Sequence, residues 1–195
     1  KVFLDTSSLV APDELNGDLL LMESRTSVRR ITSHLLEQGR TLPGFIGDIS
    51  YAQSNRERYE GFCQALTDAG KKVDSSLCLT TPLGIDTYRE EIDTFLSSLS
   101  RMPDAFVCAS DYVACILMQL LEKRGLRVPE DVAVSGFDNN TEDLLAEHLT
   151  TVQVFNEELG ARLALQILYR IKYPNTPHEI TYLGTNVLYR DSTGD

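Results

Sequence analysis

One run from Ala105 to Ser135 constrains this chain more than any other stretch. Ala105 to Ala109 is short, apolar and rich in β-formers, and it ends in the polar pair Ser110-Asp111, the pattern of a strand buried on both faces. A helix follows, with Asp111 expected to cap the free N–H groups of its first turn. Val113, Ile116, Leu117, Leu120 and Leu121 recur at helical spacing. Gly125 and then Val128-Pro129 stop it. Val132 to Ser135 is a second short strand, broken by Gly136-Phe137-Asp138. Strand, helix and strand within about thirty residues form a βαβ unit, which closes as a right-handed crossover in a parallel sheet. Ligands of open α/β sheets bind beyond the carboxyl ends of the strands. Here those ends carry Ser110-Asp111 and Phe137-Asp138.

The rest of the chain repeats this alternation. Lys1 to Asp5 and Leu19 to Met22 read as short strands. A helix capped by Thr26 or Ser27 runs to Gln38, with Val28, Ile31, Leu35 and Leu36 on one face and Gly39 as its stop. Pro43 to Asp48 is a strand, and Ser54 to Ala69 a helix that turns Phe62, Ala65, Leu66 and Ala69 inward. Val73 to Leu79 is a weaker strand, and Thr87 to Ser98 a helix with Ile92, Phe95, Leu96 and Leu99 facing the core. After the central unit, Thr141 to Leu145 reads as a helical turn and Leu149 to Val154 as a strand or crossover. Glu157 to Lys172 is an amphipathic helix capped by Asn156, its stripe made of Leu159, Leu163, Ile167, Leu168 and Ile171. Ile180 to Tyr189 gives one or two final strands. The class is α/β, with a doubly wound parallel sheet.

A net charge of −11 gives the wrong sign for holding a nucleic-acid backbone, so any DNA contact falls to another part of the protein. No apolar run approaches the roughly 20 residues that cross a bilayer. Cys63, Cys78, Cys108 and Cys115 form no CxxC pair. They read as reduced thiols, which together with the lack of a signal peptide favours the cytoplasm. His34, His148 and His178 stand far apart, so no metal set is expected. Neither a phosphate-loop spacing nor an activated-nucleophile motif is present, and no cofactor is expected. The chain reads as a binder rather than an enzyme.

Its candidate ligand contacts are the polar residues Asp5, Ser110 and Asp138 at strand ends, with Arg58 one turn into the helix that starts at Ser54. Carboxylates accept hydroxyl hydrogen bonds and a guanidinium donates in a planar fork, a combination that suits a polyhydroxylated ligand such as a sugar. Each has a plainer alternative. Asp5 and Asp138 can end strands by bonding local N–H groups, and Arg58 can be a solvated charge between Glu57 and Glu60. The helix after Asp111 has more apolar positions than one buried face needs. Tyr112, Cys115 and Met118 either bury on a second side within the chain or meet a partner.

These residues carry a resemblance. PDAFVCASDYVA (Pro103 to Ala114), LEKRGLRVPEDVAVSGFDN (Leu121 to Asn139) and LTTVQVFNEELG (Leu149 to Gly160) resemble the effector-binding core of the lactose/galactose repressor family of bacterial transcription regulators. The likeness continues upstream in HLLEQGRTLPGFIGD (His34 to Asp48) and SNRERYEGFCQAL (Ser54 to Leu66). It implies a periplasmic-binding-protein-like type I fold in two α/β lobes, with the first lobe incomplete. Residues 1–23 and 154–183 are then remnants of that lobe, and 24–153 with 184–195 form the second. Further βα units and a DNA-binding headpiece are expected upstream. The resemblance implies that Arg58 and Asp138 reach a small effector, with Asp5 a further contact, while Ser110 stands where an asparagine is common. It also implies a homodimer through Tyr112, Cys115, Met118 and Glu142. The expected function is an allosteric repressor whose sugar-like effector alters operator binding. A periplasmic or secreted sugar-binding protein is the alternative.

Overall fold

Alternating residues on short parallel strands send side chains to opposite faces, and the hydrophobic core is divided accordingly. A computed structural model describes residues 1–11, 14–84, 86–140 and 147–194. In chain order the elements are β1 (Val2–Leu4), β2 (Asp18–Met22), α1 (Arg25–Glu37), β3 (Pro43–Ile46), α2 (Gln53–Asp68), β4 (Cys78–Leu79) and α3 (Tyr88–Ser98). They continue as β5 (Ala105–Cys108), α4 (Asp111–Lys123), β6 (Ala133–Ser135), β7 (Thr151–Gln153), α5 (Asn156–Lys172), β8 (Ile180–Leu183) and β9 (Asn186–Leu188).

The central sheet has the order β4-β3-β5-β6, all parallel. Ile46, Phe106, Cys108 and Val134 face α3 and α4, whereas Phe45, Val107, Ala109, Ala133 and Phe137 face α1 and α2. From β3 the chain steps to one side for β4 and then crosses back for β5. The sheet therefore reverses direction between β3 and β5, the topological switch point at which such folds bind ligands. Single parallel bridges, Ser135 to Thr150 and Asp138 to Gln153, carry the chain on to β7, which pairs antiparallel with β9. A separate parallel sheet, β1-β2-β8, has α5 lying against β1 and β2.

Two glycines show how local sequence fixes this packing. Gly125, at φ 73°, takes the left-handed position after α4, and Leu126 N–H closes back on the Leu121 carbonyl at 3.0 Å. Gly61 lets α2 approach α1 closely, since a Cβ there would lie 2.2 Å from the Arg25 carbonyl oxygen.

Several expectations need correction. The capping oxygens for α1 come from Glu23, which accepts from Thr26 N–H (2.6 Å) and Ser27 N–H (3.2 Å), so the helix starts earlier than Thr26. Only Cys78–Leu79 of the Val73 to Leu79 run pairs as a strand, because Ser75–Leu77 turns as a 3-10 helix on the Asp74 side chain. Ala69 is exposed past the end of α2. The stripe expected on α5 is mostly open: Leu159 is buried, but Ile167, Leu168 and Ile171 are 43%, 62% and 72% exposed. The turn expected over Thr141 to Leu145 lies outside the described residues.

Candidate functional site

The carboxyl ends of β1, β2, β5 and β6 converge on the first two turns of α2. Ser54, one turn ahead of Arg58, donates its hydroxyl to Asp5 at 2.6 Å. Asp5 follows β1 in a left-handed conformation, φ 57°. Glu57 is buried and accepts from the Tyr182 hydroxyl at 2.7 Å and from the Gln53 amide. Through these bonds α2 joins the β1-β2-β8 sheet to the central one.

Arg58 is the hub. It is not a solvated charge, since it is only 4% exposed. Its guanidinium carbon sits 3.6 Å from the centroid of the Phe137 ring, a stacking contact that favours arginine over lysine. The group donates to the Ala109 carbonyl, to Met22 Sδ at 3.7 Å and to Asp138 Oδ1 at 3.5 Å. Its Nε is buried without a hydrogen-bond partner. Burial pulls the Arg58 pKa down, while Asp138, Asp5, Asp111 and Glu57 oppose that shift. Burial likewise raises the Asp138 pKa and Arg58 opposes it. Asp138 nevertheless keeps 44% of its side-chain surface open. At 3.5 Å the pair is longer than a good charged hydrogen bond, and a hydroxyl can donate to the carboxylate while accepting from the guanidinium.

The structure thus brings Arg58 and Asp138 into contact and links Asp5 to the same helix through Ser54. Ser110 follows Ala109, whose carbonyl Arg58 holds. Its hydroxyl oxygen accepts from Val113 N–H at 3.3 Å, so Ser110 and not Asp111 caps α4. That corrects the expected cap. Asp111 is 2% exposed and accepts from the Thr151 hydroxyl (2.6 Å) and Asn140 N–H (2.8 Å), pinning α4 to the turn after β6.

Of the residues assigned to a dimer face, Tyr112 is 58% exposed and meets Tyr88 edge-on at 5.7 Å. Cys115 is buried within the chain itself, and Met118 is partly buried beside Leu126 and Val128. Glu142 lies outside the described residues. Reading the sequence missed Phe137 and Met22 as walls of the site. Phe137 carried a signal, because it continues the alternation of Ala133 and Ser135 onto the α2 face.

Elsewhere a recess of about 520 Å³ opens at the amino ends of the strands, lined in part by Lys71, Lys72, Asp74 and Arg101. Its charges are solvent-exposed, and Arg101 pairs with Asp74 there. The desolvated Arg58 and its carboxylate neighbours are the better-built site, and they lie at the end where sheets of this kind bind ligands. Among the described residues no group of histidine, cysteine and acidic side chains is arranged to hold a metal ion.

Residues 32–193 match a family model described as the periplasmic binding protein-like domain. The HTH-type transcriptional regulator DegA of Bacillus subtilis is 32% identical over 146 residues, which is 74% of this chain and 42% of that protein. A solved structure of a LacI-family regulator from Sanguibacter keddieii superposes with a TM-score of 0.83 at 26% identity, covering 100% of this chain and 72% of that one. A complex of the transcriptional regulator CelR with cellobiose superposes with a TM-score of 0.85 at 27% identity, covering 98% of this chain and 58% of that one. The chain spans about half the length of the curated relatives it matches, from 42% to 55%.

Proposed function

Since the chain belongs to the periplasmic binding protein-like domain family and is similar to the cores of LacI-family regulators, we propose that it is the effector-binding core of a ligand-responsive transcription regulator. The observation that carries this reading is the Arg58 to Asp138 pair, a desolvated fork and a half-open carboxylate 3.5 Å apart at the carboxyl ends of parallel strands. Such a pair recognises a hydroxyl-rich effector, and the likeness to a regulator in complex with cellobiose supports a sugar. Asp5 and the donor hydroxyl of Ser110 extend the polar surface. Residues 1–23 and 154–183 belong to a first lobe and the remainder to a second, with the effector between them.

The regulatory step follows from differential affinity. A ligand that bonds the two lobes better in one orientation shifts the population toward that orientation, and the shift alters how paired headpieces meet the operator. The acidic balance of this chain supports DNA contact by another region. A homodimer built on α4, through Tyr112 and Met118, transmits the change. Cys63, Cys78, Cys108 and Cys115 stand as reduced thiols, in keeping with a reducing cytoplasm. Among the described residues no helix is long and apolar enough to cross a membrane. No bond is made or broken in this cycle.

Calorimetric titration of the full-length protein with cellobiose and a panel of mono- and disaccharides tests the reading. At least one sugar should bind, Arg58→Met should abolish the signal, and Arg58→Lys should weaken it by roughly tenfold or more, because a lysine loses the fork and the ring stack. A panel without a binder, or unchanged affinity in Arg58→Met, rejects the sugar site.

A further inference from the structure

The backbone after β6 turns through positive φ at two consecutive residues. Asp138 and Asn139 are consecutive non-glycine residues at φ 109° and 51°, in a region that side chains strain to occupy, Asp and Asn less than most. From that backbone the Asp138 carboxylate faces Arg58. Something must hold the turn, and its N–H groups are all engaged. Asp138 N–H donates to the Val152 carbonyl at 3.0 Å, Asn139 N–H to the Thr151 hydroxyl at 3.2 Å, and Asn140 N–H to Asp111 at 2.8 Å.

The Asn139 side chain is held at both ends. Its amide nitrogen donates to Gln153 Oε1, and its Oδ1 accepts from Arg190 Nη2 at 2.8 Å. The same guanidinium donates through Nη1 to the Leu149 carbonyl at 3.0 Å. One arginine, reaching in from beyond β9, therefore fastens residue 139 to residue 149 across the stretch between them. Arg190 is itself anchored, its N–H donating to the Thr150 hydroxyl at 2.7 Å. Its charge also acts on Asp111, which accepts from Asn140 N–H in the same turn, while its bond to Asn139 is a direct link to the residue that follows Asp138.

We propose that Arg190, acting through Asn139, is a positioning residue for the effector site: its two-armed bond holds Asp138 in the left-handed backbone and so sets how tightly the site grips a hydroxyl-bearing ligand. The inference rests on the reading of Arg58 and Asp138 as ligand contacts. It differs from a simple structural tie in requiring the fork, since Asn139 and Leu149 are met by two separate nitrogens of one planar group, a spacing that a single ammonium nitrogen does not reproduce.

Arg190→Lys keeps the charge without the fork, and Arg190→Met removes both. Asn139→Gly is a third variant that deletes the amide while suiting a positive φ, so it tests the clamp without adding strain. In the full chain, the ionisation midpoint of Asp138 is followed by carbon-13 NMR in the absence of ligand, and affinity for the best sugar of the panel by calorimetry. All three variants should displace the Asp138 midpoint and weaken the sugar by about tenfold. An unmoved midpoint overturns the proposal. So does an Arg190→Lys protein that matches the wild type in both readouts, which would leave charge as the whole effect, or a displaced midpoint with affinity unchanged. If no sugar binds the wild type but the three variants still displace Asp138, the clamp stands and the sugar reading fails.

Discussion

Asp111 and Asp18 are both nearly inaccessible to solvent, at 2% and 1% exposure, yet their surroundings push them to opposite sides of the ordinary carboxylate range. Burial raises Asp111 to about 6, a shift that its bonds from Thr151 and Asn140 only reduce. Burial also opposes ionisation of Asp18, but hydrogen bonds from Arg170, Gln166 and Glu179 N–H outweigh it and leave the pKa lowered. The consequences for stability have opposite signs. Because the folded pKa of Asp111 lies above its unfolded value of 3.8, the native state holds the extra proton between about 4 and 6, and this residue's contribution falls as pH rises through that window. The contribution of Asp18 is present above its unfolded pKa and is lost as pH falls through the depressed folded value. Carbon-13 titration should give a midpoint near 6 for Asp111 and one below 3.8 for Asp18. A midpoint near 4 for Asp111 would mean that its recess is wet.

At the scale of elements, α4 and α5 look alike in sequence and differ in what covers them. Leu117 of α4 is fully buried in the core that α4 shares with β5, β6 and α3, whereas Ile171 of α5 is 72% exposed. In the 195-residue chain, Leu117→Ala should cost about 2–5 kcal/mol in denaturant unfolding and Ile171→Ala within about 0.5 kcal/mol. Equal costs would contradict the packing described. This contrast also marks where sequence reading stops. Apolar spacing locates both helices, because a helix repeats every 3.6 residues whatever lies against it. It cannot say whether the stripe is covered within the same chain. The α4 cap failed for a related reason: Ser110 and Asp111 are both good capping residues, and the choice is made by Thr151, 40 positions away.

For the whole molecule, the βα alternation was readable throughout, and with it the end of the sheet where a ligand belongs. Arg58 and Asp138 were identifiable as a pair only through resemblance, since they lie 80 residues apart and each has an ordinary structural explanation on its own. What resemblance did not supply was the wall that makes Arg58 a desolvated fork, namely Phe137 and Met22, because neither has a polar group to attract notice. The exposed face of α5 bears on the proposed first lobe. In a protein of the relatives' length, Ile171→Ala should cost about 2 kcal/mol or more if further βα units cover that face. A cost that stays within about 0.5 kcal/mol would remove the cover and the lobe assignment with it.

Whether Arg58 and Asp138 hold the effector is decided by a crystal structure of the full-length protein with the tightest-binding sugar of the panel. One hydroxyl oxygen should lie within about 3 Å of both the Arg58 guanidinium and the Asp138 carboxylate, with the ring at the strand ends. A sugar found in the recess beside Lys71 and Arg101, or anywhere that leaves the Arg58 to Asp138 pair untouched, would contradict it.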